Sequence, residues 1–411
     1  MEKRQIFRQN MFLHIIKNNN MELSRNSLCQ KSKYSMTSVM AAVDDLIEQG
    51  LVFESEPLNN TVGRQPVLLQ INGDSMYFAG LECNASFVRL SVVNLLNQEY
   101  YSDMIDIKQL CAGSILQAMD EILCKLRDEK PELWDKTECV TVGLPGKIDA
   151  EKGIGILYFS VKDWLNVDVG DFLNRRFNKK LYFINNIDSI AIGYLAHEKL
   201  DENVSTMFVL VRNGVGIRVV SKGTLLSEFG VLCELGHVSA KGSDRLCKCG
   251  KRGCYDAEIT NHAVLNKAAE AVRADKMPGL SARPENGPDN ITLNFFIEQL
   301  EKKDASALEI MDNVARYTGE MLAEAIFAFS PDRIIFSSEL CRFQPQFTNT
   351  VNFAIAKNYP HALNALPSIQ YVQPSTLLGA FGTALTGYYK TFRTSDATME
   401  LNLNGRISEL V

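Results

Sequence analysis

Apolar residues recur at helical spacing from the start of the chain. Ile6, Phe7, Met11, Phe12, Ile15 and Ile16 share a face and predict a helix that Asn18-Asn19-Asn20 ends. Ser24 is placed to cap a second short helix through about Cys29, and Lys31–Tyr34 reads as a turn. Ser35 caps a third helix carrying Val39, Val43, Leu46 and Ile47, which Gly50 stops. Leu51–Ser55 and Val67–Ile71 predict two strands around the polar loop Glu56–Pro66. Helix, helix, turn, helix, hairpin is the plan of a winged helix-turn-helix, here within residues 1–73 and bounded by Gly73-Asp74.

Beyond the boundary the periods alternate. Strands are predicted at Tyr77–Glu82, Phe87–Leu95, Glu138–Val142, Leu181–Ile184 and Thr206–Val211. Helices are predicted at about Gly113–Arg127, Ile187–Glu198, Ala263–Ala274, Ala305–Phe329 and Leu377–Tyr389. That alternation is α/β and defines a second region, 74–392. Met277–Asn290, rich in Pro, Gly and Asn, reads as a surface loop, and 393–411 as a C-terminal extension.

Composition sharpens the picture at one end. The 411 residues are 46% hydrophobic and 22% charged, which is ordinary for a globular chain and leaves enough material for several cores. Net charge is -6, yet residues 1–40 carry seven Lys/Arg against two acids, a local +5. An anionic partner is therefore expected for the N-terminal module alone. No apolar run reaches membrane-spanning length, and the opening residues lack the continuous apolar region of a secretion signal, so a cytoplasmic protein is expected. In that compartment structural disulfides are rare. Seven of the ten cysteines (Cys29, Cys83, Cys111, Cys124, Cys139, Cys233, Cys341) are scattered and read as small hydrophobes.

The other three are clustered. Cys247-Lys248-Cys249-Gly250-Lys251-Arg252-Gly253-Cys254 sets three thiols in a glycine-relaxed loop, ten residues after His237. Three Cys and one His form a common structural zinc set, and four protein ligands leave no open position for hydrolysis. The alternative is three reduced surface thiols without metal, an oxidation liability.

Glu234-Leu235-Gly236-His237 followed by Cys-x-Cys-Gly-x-x-Gly-Cys resembles the signature of the ROK family, which comprises bacterial sugar kinases and sugar-responsive repressors. Gly143-Leu144-Pro145-Gly146 with Asp149, Gly214-Val215-Gly216-Ile217 and Leu378-Gly379-Ala380 are similar to further family segments. The resemblance implies a two-lobed, actin-like (ribonuclease H-like) fold with sugar bound in a cleft. The preceding winged helix-turn-helix is the family's repressor arrangement.

A kinase needs a base and loops whose backbone N–H groups cradle phosphate. In the register implied by the resemblance, Asn186 falls on the family's Asn and Ile187 on its catalytic Asp, and isoleucine accepts no proton. A one-residue bulge would bring Asp188 forward instead. Where the kinases have D-x-G-G-T, this chain has Glu82-Cys83-Asn84-Ala85-Ser86. Arg218 replaces a small residue, and Ser337-Ser338 a glycine pair. These departures imply that phosphoryl transfer is lost and that no residue is catalytic; the alternative is an active ATP-dependent sugar kinase with an appended DNA-binding domain. The sugar side survives. Asn186, Glu234, His237 and Asp256 match or stand near family sugar ligands, Asp256 in place of a Glu. His237 would serve metal and sugar together through its two ring nitrogens. Taken alone, Asn186, Glu234 and Asp256 read as ordinary capping or surface polarity. Ile187 faces the position of the reacting hydroxymethyl in hexose kinases, which points to a pentose effector.

In a helix-turn-helix the second helix of the motif enters the major groove by its N-terminal residues. Tyr34, Ser35, Met36, Thr37 and Ser38 are the candidates for base and phosphate contact, with Met36 suited to a thymine methyl. Arg25, Lys31 and Lys33 are the phosphate candidates. Arg64, within Val62–Pro66, resembles the family's wing and suits a narrow minor groove. The alternative for these charges is a solvated face. Operator DNA, a sugar effector, structural zinc and a homodimer or dimer of dimers complete the expectation, for a repressor of carbohydrate-utilisation genes.

Overall fold

The computed structural model describes residues 2–19, 23–55, 66–198, 200–201, 203–222, 224–229, 233–276, 290–359, 365–374 and 378–392. Arg64, most of the loops expected at 56–66 and 277–290, and the extension 393–411 lie outside the described residues. The chain divides into two compact units: residues up to 202 together with those from 378 onward, and residues 203–377.

The first unit opens with α1 (Glu2–Asn18), α2 (Arg25–Ser32), α3 (Met36–Glu48) and the antiparallel hairpin β1 (Val52–Ser55) and β2 (Leu68–Ile71). The capping serines act as expected. Ser24 Oγ accepts from the Ser27 N–H at 3.2 Å and Ser35 Oγ from the Ser38 N–H at 3.3 Å. Lys33, at φ 58, turns the chain between α2 and α3. Phe12, Ile16, Leu28, Val39, Val43, Leu46 and Leu69 are buried together, so the apolar stripes read from the sequence form this module's core.

There follow β3 (Tyr77–Cys83), β4 (Phe87–Asn94), β5 (Glu99–Asp106), α4 (Ala112–Glu129), α5 (Pro131–Asp135) and β6 (Thr137–Leu144). A small antiparallel sheet comprises β7 (Lys147–Asp149), β8 (Ile154–Leu157) and β9 (Leu165–Asp168). Then come α6 (Val169–Asn174), β10 (Lys180–Asn185) and α7 (Asn186–Glu198). The main sheet runs β10-β6-β3-β4-β5, with β3, β4 and β5 antiparallel and β6 and β10 added in parallel. Sequence patterning missed β5 because it is a polar edge whose EYYSDMID alternates exposed and half-buried residues.

The second unit holds β11 (Thr206–Val211), β12 (Val215–Ser221), β13 (Thr224–Leu225), α8 (Asp256–Ile259), α9 (Asn261–Arg273), α10 (Leu293–Glu301), α11 (Ala305–Phe329), β14 (Arg333–Ser337), α12 (Gln346–Asn358) and β15 (Ser368–Val372). Its sheet runs β13-β12-β11-β14-β15. Met207, Val209, Ile334 and Phe336 of the sheet share a core with Phe296, Met311, Val314, Leu322 and Phe347 of the helices. The glycine-rich stretch Gly214–Ile217 is mostly strand: its glycines open β12 rather than a long loop.

The chain then returns to the first unit with α13 (Gly379–Thr391), which packs on α7 and across β3. A side chain at Gly382 would meet the Ser189 carbonyl at 1.8 Å, so only glycine allows α7 and α13 to lie this close. Among the described residues, no helix is long and apolar enough to cross a membrane.

Candidate functional site

The cysteine loop is folded by its own backbone before any metal is considered. Ser239 bridges Cys254 and Leu246 bridges Arg252, giving an antiparallel frame. The Cys247 N–H donates to Lys251 O at 2.8 Å, the Gly250 N–H to Cys247 O at 2.9 Å and the Gly253 N–H to Arg245 O at 2.8 Å. Gly253 has φ +76, and a Cβ there would stand 2.6 Å from the Ser243 carbonyl. The Glu234–His237 segment forms a short 3-10 turn that delivers His237, whose carbonyl accepts from Lys251 Nζ at 3.2 Å.

This frame brings together all four sequence-predicted metal ligands. His237 Nδ1 and the Sγ atoms of Cys247, Cys249 and Cys254 lie within 4.8 Å of one another. Cys249 Sγ and Cys254 Sγ are 3.8 Å apart, and Cys247 Sγ and His237 Nδ1 are 3.7 Å apart. Ligands about 2.3 Å (S) and 2.0 Å (N) from a tetrahedral Zn²⁺ stand about 3.5–3.8 Å apart, so donor type, number and spacing all fit zinc. Burial pushes the Cys247 thiol up to about 12. Burial also opposes ionisation of Cys249, but the Lys251 N–H and the neighbouring thiols turn toward its sulfur and hold it below the ordinary thiol value. A divalent cation is the group that lets all three sulfurs ionise side by side.

Two of the predicted sugar residues adjoin this cluster in sequence and space. Asp256, the first residue of α8, is buried, and its Oδ1 accepts from the Val215 N–H at 3.0 Å. A Cβ on Gly214 or Gly236 would lie 3.6 and 3.5 Å from that oxygen. One carboxylate thus joins the Gly214–Ile217 stretch, the Glu234–His237 turn and the segment after Cys254. Burial raises its pKa, while the Val215 N–H, His237 and Lys248 oppose the rise. Glu234 is exposed at the start of the His237 turn. Asn186 belongs to the other unit, where it opens α7 and its Nδ2 donates to Cys83 O at 3.4 Å.

β3 ends at Cys83, and Asn84 Oδ1 accepts from the Ser86 N–H at 2.7 Å and from the Phe87 N–H at 3.0 Å. The Ser86 and Phe87 N–H groups of this turn are therefore already taken by a side chain of the same turn. The Glu82 carboxylate is buried against Gly379 at the N-terminus of α13, where an added Cβ would stand 2.4–2.7 Å from its atoms. A carboxyl group already sits beside that helix end. Ser338 Oγ accepts from the Leu340 N–H at 3.3 Å and caps a one-turn helix after β14. Arg218 is buried in β12, with Nη1 donating to Ile217 O at 2.8 Å. β10 pairs with β6 in unbroken register through Asn185, and α7 begins at Asn186. There is no bulge there, and Asp188 lies buried in the first turn of α7.

The N-terminal candidates fall into three groups. Lys31, Lys33, Ser35, Met36 and Thr37 are exposed at the α2–α3 turn and the start of α3. Tyr34 and Ser38 are half-buried: the Tyr34 ring meets Phe12 edge-on at 5.6 Å, and Ser38 pairs with Ser35. Arg25 is held by Asp44 at 2.6 Å and Glu54 at 2.7 Å, so it ties α2 to α3 and β1. Sequence reading passed over Met40, 41% exposed one turn after Met36. Its signal was the i, i+4 spacing outside the apolar stripe. It also passed over Asn84, whose Asn-Ala-Ser sequence is a side-chain-capped turn signal.

Residues 94–386 match the profile described as the ROK family. The "Xylose repressor" of Caldicellulosiruptor bescii is 22% identical over 79% of this chain and 81% of its own length. The "DNA-binding transcriptional dual regulator NagC" of Escherichia coli K12 is 23% identical over 77% of each chain. Among solved structures, a ROK family transcriptional regulator described as a homologue of the E. coli MLC protein superposes with a TM-score of 0.73, at 16% identity, over 96% of this chain and 98% of that one. The architecture is therefore that of a ROK regulator, a winged helix-turn-helix joined to the actin-like family fold.

Proposed function

The chain belongs to the ROK family, and from that premise we propose that it is a sugar-responsive, DNA-binding transcriptional repressor of carbohydrate-utilisation genes, acting in the cytoplasm without phosphoryl transfer. Residues 1–73 read the operator, residues 74–392 carry the effector site, and 393–411 extend the chain. The observation that carries this reading over a kinase is the turn after β3, where Asn84 occupies the N–H groups a phosphate would need. Ile187 in place of a base and Asp188 inside the first turn of α7 support the same conclusion.

His237, Cys247, Cys249 and Cys254 would hold Zn²⁺ as a closed structural site. Zinc would supply cross-linking of the loop and no chemistry on a ligand. With Nδ1 turned to the thiols, His237 meets the sugar through Nε2, beside Glu234 and the second oxygen of Asp256. Asn186, at the start of α7, is a further amide candidate for the sugar. The relatives are named for xylose and described as NagC. Of a pentose and an amino hexose, Ile187 favours the pentose, because it offers nothing to a hydroxymethyl oxygen.

On DNA, α3 presents Ser35, Met36, Thr37 and Met40, with Lys31 and Lys33 at phosphates and Arg64 at the wing. Ser38 and Tyr34 act from the edge of that surface, and Arg25 orients α3 rather than meeting phosphate. A homodimer or dimer of dimers would match two half-sites. The test is binding to DNA upstream of the protein's own gene at fixed salt, with pentoses, hexoses and amino sugars added in turn. Release by a pentose supports the whole reading. Release by hexoses alone overturns the pentose assignment, and tight binding that no sugar alters overturns the effector site.

A further inference from the structure

A buried carboxylate that belongs to neither the metal ligands nor the sugar residues straddles the cysteine loop. Glu258 lies in α8, four residues after Cys254, and its side chain is 4% exposed. One carboxylate oxygen accepts from Ser243 Oγ and lies 3.7 Å from Arg245 Nε; both residues precede Cys247. The other oxygen is 2.6 Å from Lys267 Nζ of α9, itself 6% exposed. Lys267 also donates to Glu258 O at 2.9 Å and to Asn313 Oδ1 of α11 at 2.6 Å. Arg245 completes the chain with a two-pronged pair to Glu270 of α9 at 2.7 and 2.8 Å.

We propose that Glu258 is a positioning residue for the metal loop: it clamps the stretch before Cys247 to the helix after Cys254 and fixes both to α9 and α11. The inference rests on the zinc reading above and deepens it. The geometry is that of a clasp. The Ser243–Arg245 stretch and Cys254 are the two ends of the ligand-bearing loop, and one carboxylate holds the first to the helix that continues from the second. A buried ion pair is weak evidence for stability, because desolvation consumes most of its attraction. Holding a loop in one geometry is a different task, and Ser243, Arg245 and Lys267 around the Glu258 carboxylate are arranged for it. The same short helix carries Asp256, so the clasp also sets the carboxylate that joins β12 to the His237 turn.

The test is zinc affinity by chelator competition on the full-length protein, with thermal unfolding of the same samples. Glu258→Gln removes the charge that holds Lys267 and Arg245. Glu258→Gln with Lys267→Met removes the pair together, so no buried charge is left alone and the fold is kept. Both variants are expected to bind zinc about tenfold more weakly, the lower end of what residues supporting a metal site contribute. Ser243→Ala, which removes one donor, should weaken it by a smaller factor. A double variant whose metal-free form unfolds at the temperature of metal-free wild type, yet which binds zinc about tenfold more weakly, confirms positioning, because a purely structural role would lower the metal-free melting curve instead. A folded double variant with zinc affinity within twofold of wild type overturns the proposal. Wild-type protein holding less than about half a zinc per chain overturns the zinc reading, and this inference with it.

Discussion

Two loops of this molecule, the turn after β3 and the cysteine loop, are built in opposite ways. The turn after β3 keeps a hairpin but fills its own donors with Asn84 and seats Glu82 beside the N-terminus of α13. The cysteine loop keeps four converging ligands, two glycines at positive φ and a buried clasp around Glu258. The lesson is that a phosphate cradle depends on leaving backbone donors unmet, so one side chain can close it. A metal loop depends on many mutually supporting contacts, which persist or fail together.

The largest effect should come from breaking the loop that was kept. Cys254→Ser, or stripping with a strong chelator, is expected to abolish stoichiometric zinc, to lower the unfolding temperature by about 10 °C and to remove any sugar response. Metal analysis with calorimetry checks this, and an unaltered melting curve would refute a structural zinc.

The other half of the comparison is sharpened by asking whether the closed turn still works. Purified protein with ATP, Mg²⁺ and the panel sugars should give no sugar-dependent ADP, and Asp188→Ala should leave sugar binding within twofold. Turnover that Asp188→Ala abolishes would restore the kinase reading.

Smaller effects separate the exposed face of α3 from the residues that only support it. The segment Met36–Glu48 contains no Arg, Lys, Asn or Gln, the side chains that read bases by paired hydrogen bonds. If α3 reads bases as proposed, discrimination at this helix would fall to hydroxyls and to methyl contact by Met36 and Met40. Replacing operator thymines by uracils, or Met36 and Met40 by Ala, should weaken specific binding by about three- to tenfold; gel-shift titrations that show no change would exclude methyl readout. Lys33→Ala should reduce the salt slope of binding by about one. Arg25→Ala should leave that slope unchanged while destabilising the module, because its guanidinium is committed to Asp44 and Glu54.

A pH-dependent effect is expected where α1 meets the following region. Lys17 Nζ donates to Leu95 O at 2.9 Å and lies 4.0 Å over the Tyr388 ring, and burial lowers its pKa to about 7. Between that value and the ordinary 10.5 the unfolded chain binds the extra proton. This group's contribution is therefore least favourable below about pH 7 and improves as the pH rises. Lys17→Met should flatten the rise in stability between pH 7 and 9 and should stabilise the protein most at the lower end, as read by thermal unfolding across that range.

The helix-turn-helix and the Cys/His cluster were legible because each rests on local signals: Ser24 and Ser35 as caps, a stripe of apolar residues, and thiols at short spacing. Strand β11 and helix α11 emerged with the expected bounds, Thr206–Val211 and Ala305–Phe329, because both are long uninterrupted patterns. β5, α10 and α12 went unread: β5 is a polar edge, and the two helices bury their apolar faces in a core assembled from distant segments. The partners of Arg25 and Glu258 could not be read from spacing, since Glu54 and Ser243 reach them only through tertiary folding. Asp188 was open to two placements until the unbroken pairing of β10 with β6 fixed the start of α7.

The central claim is that sugar and operator compete through one protein without nucleotide. It is tested most directly by titrating the releasing sugar into nucleotide-free protein with and without saturating operator DNA. Linkage requires the operator to weaken sugar binding by the same factor by which the sugar weakens operator binding. Equal factors are the result expected here. Sugar affinity that DNA leaves unchanged, or sugar binding that appears only with ATP, would contradict the account.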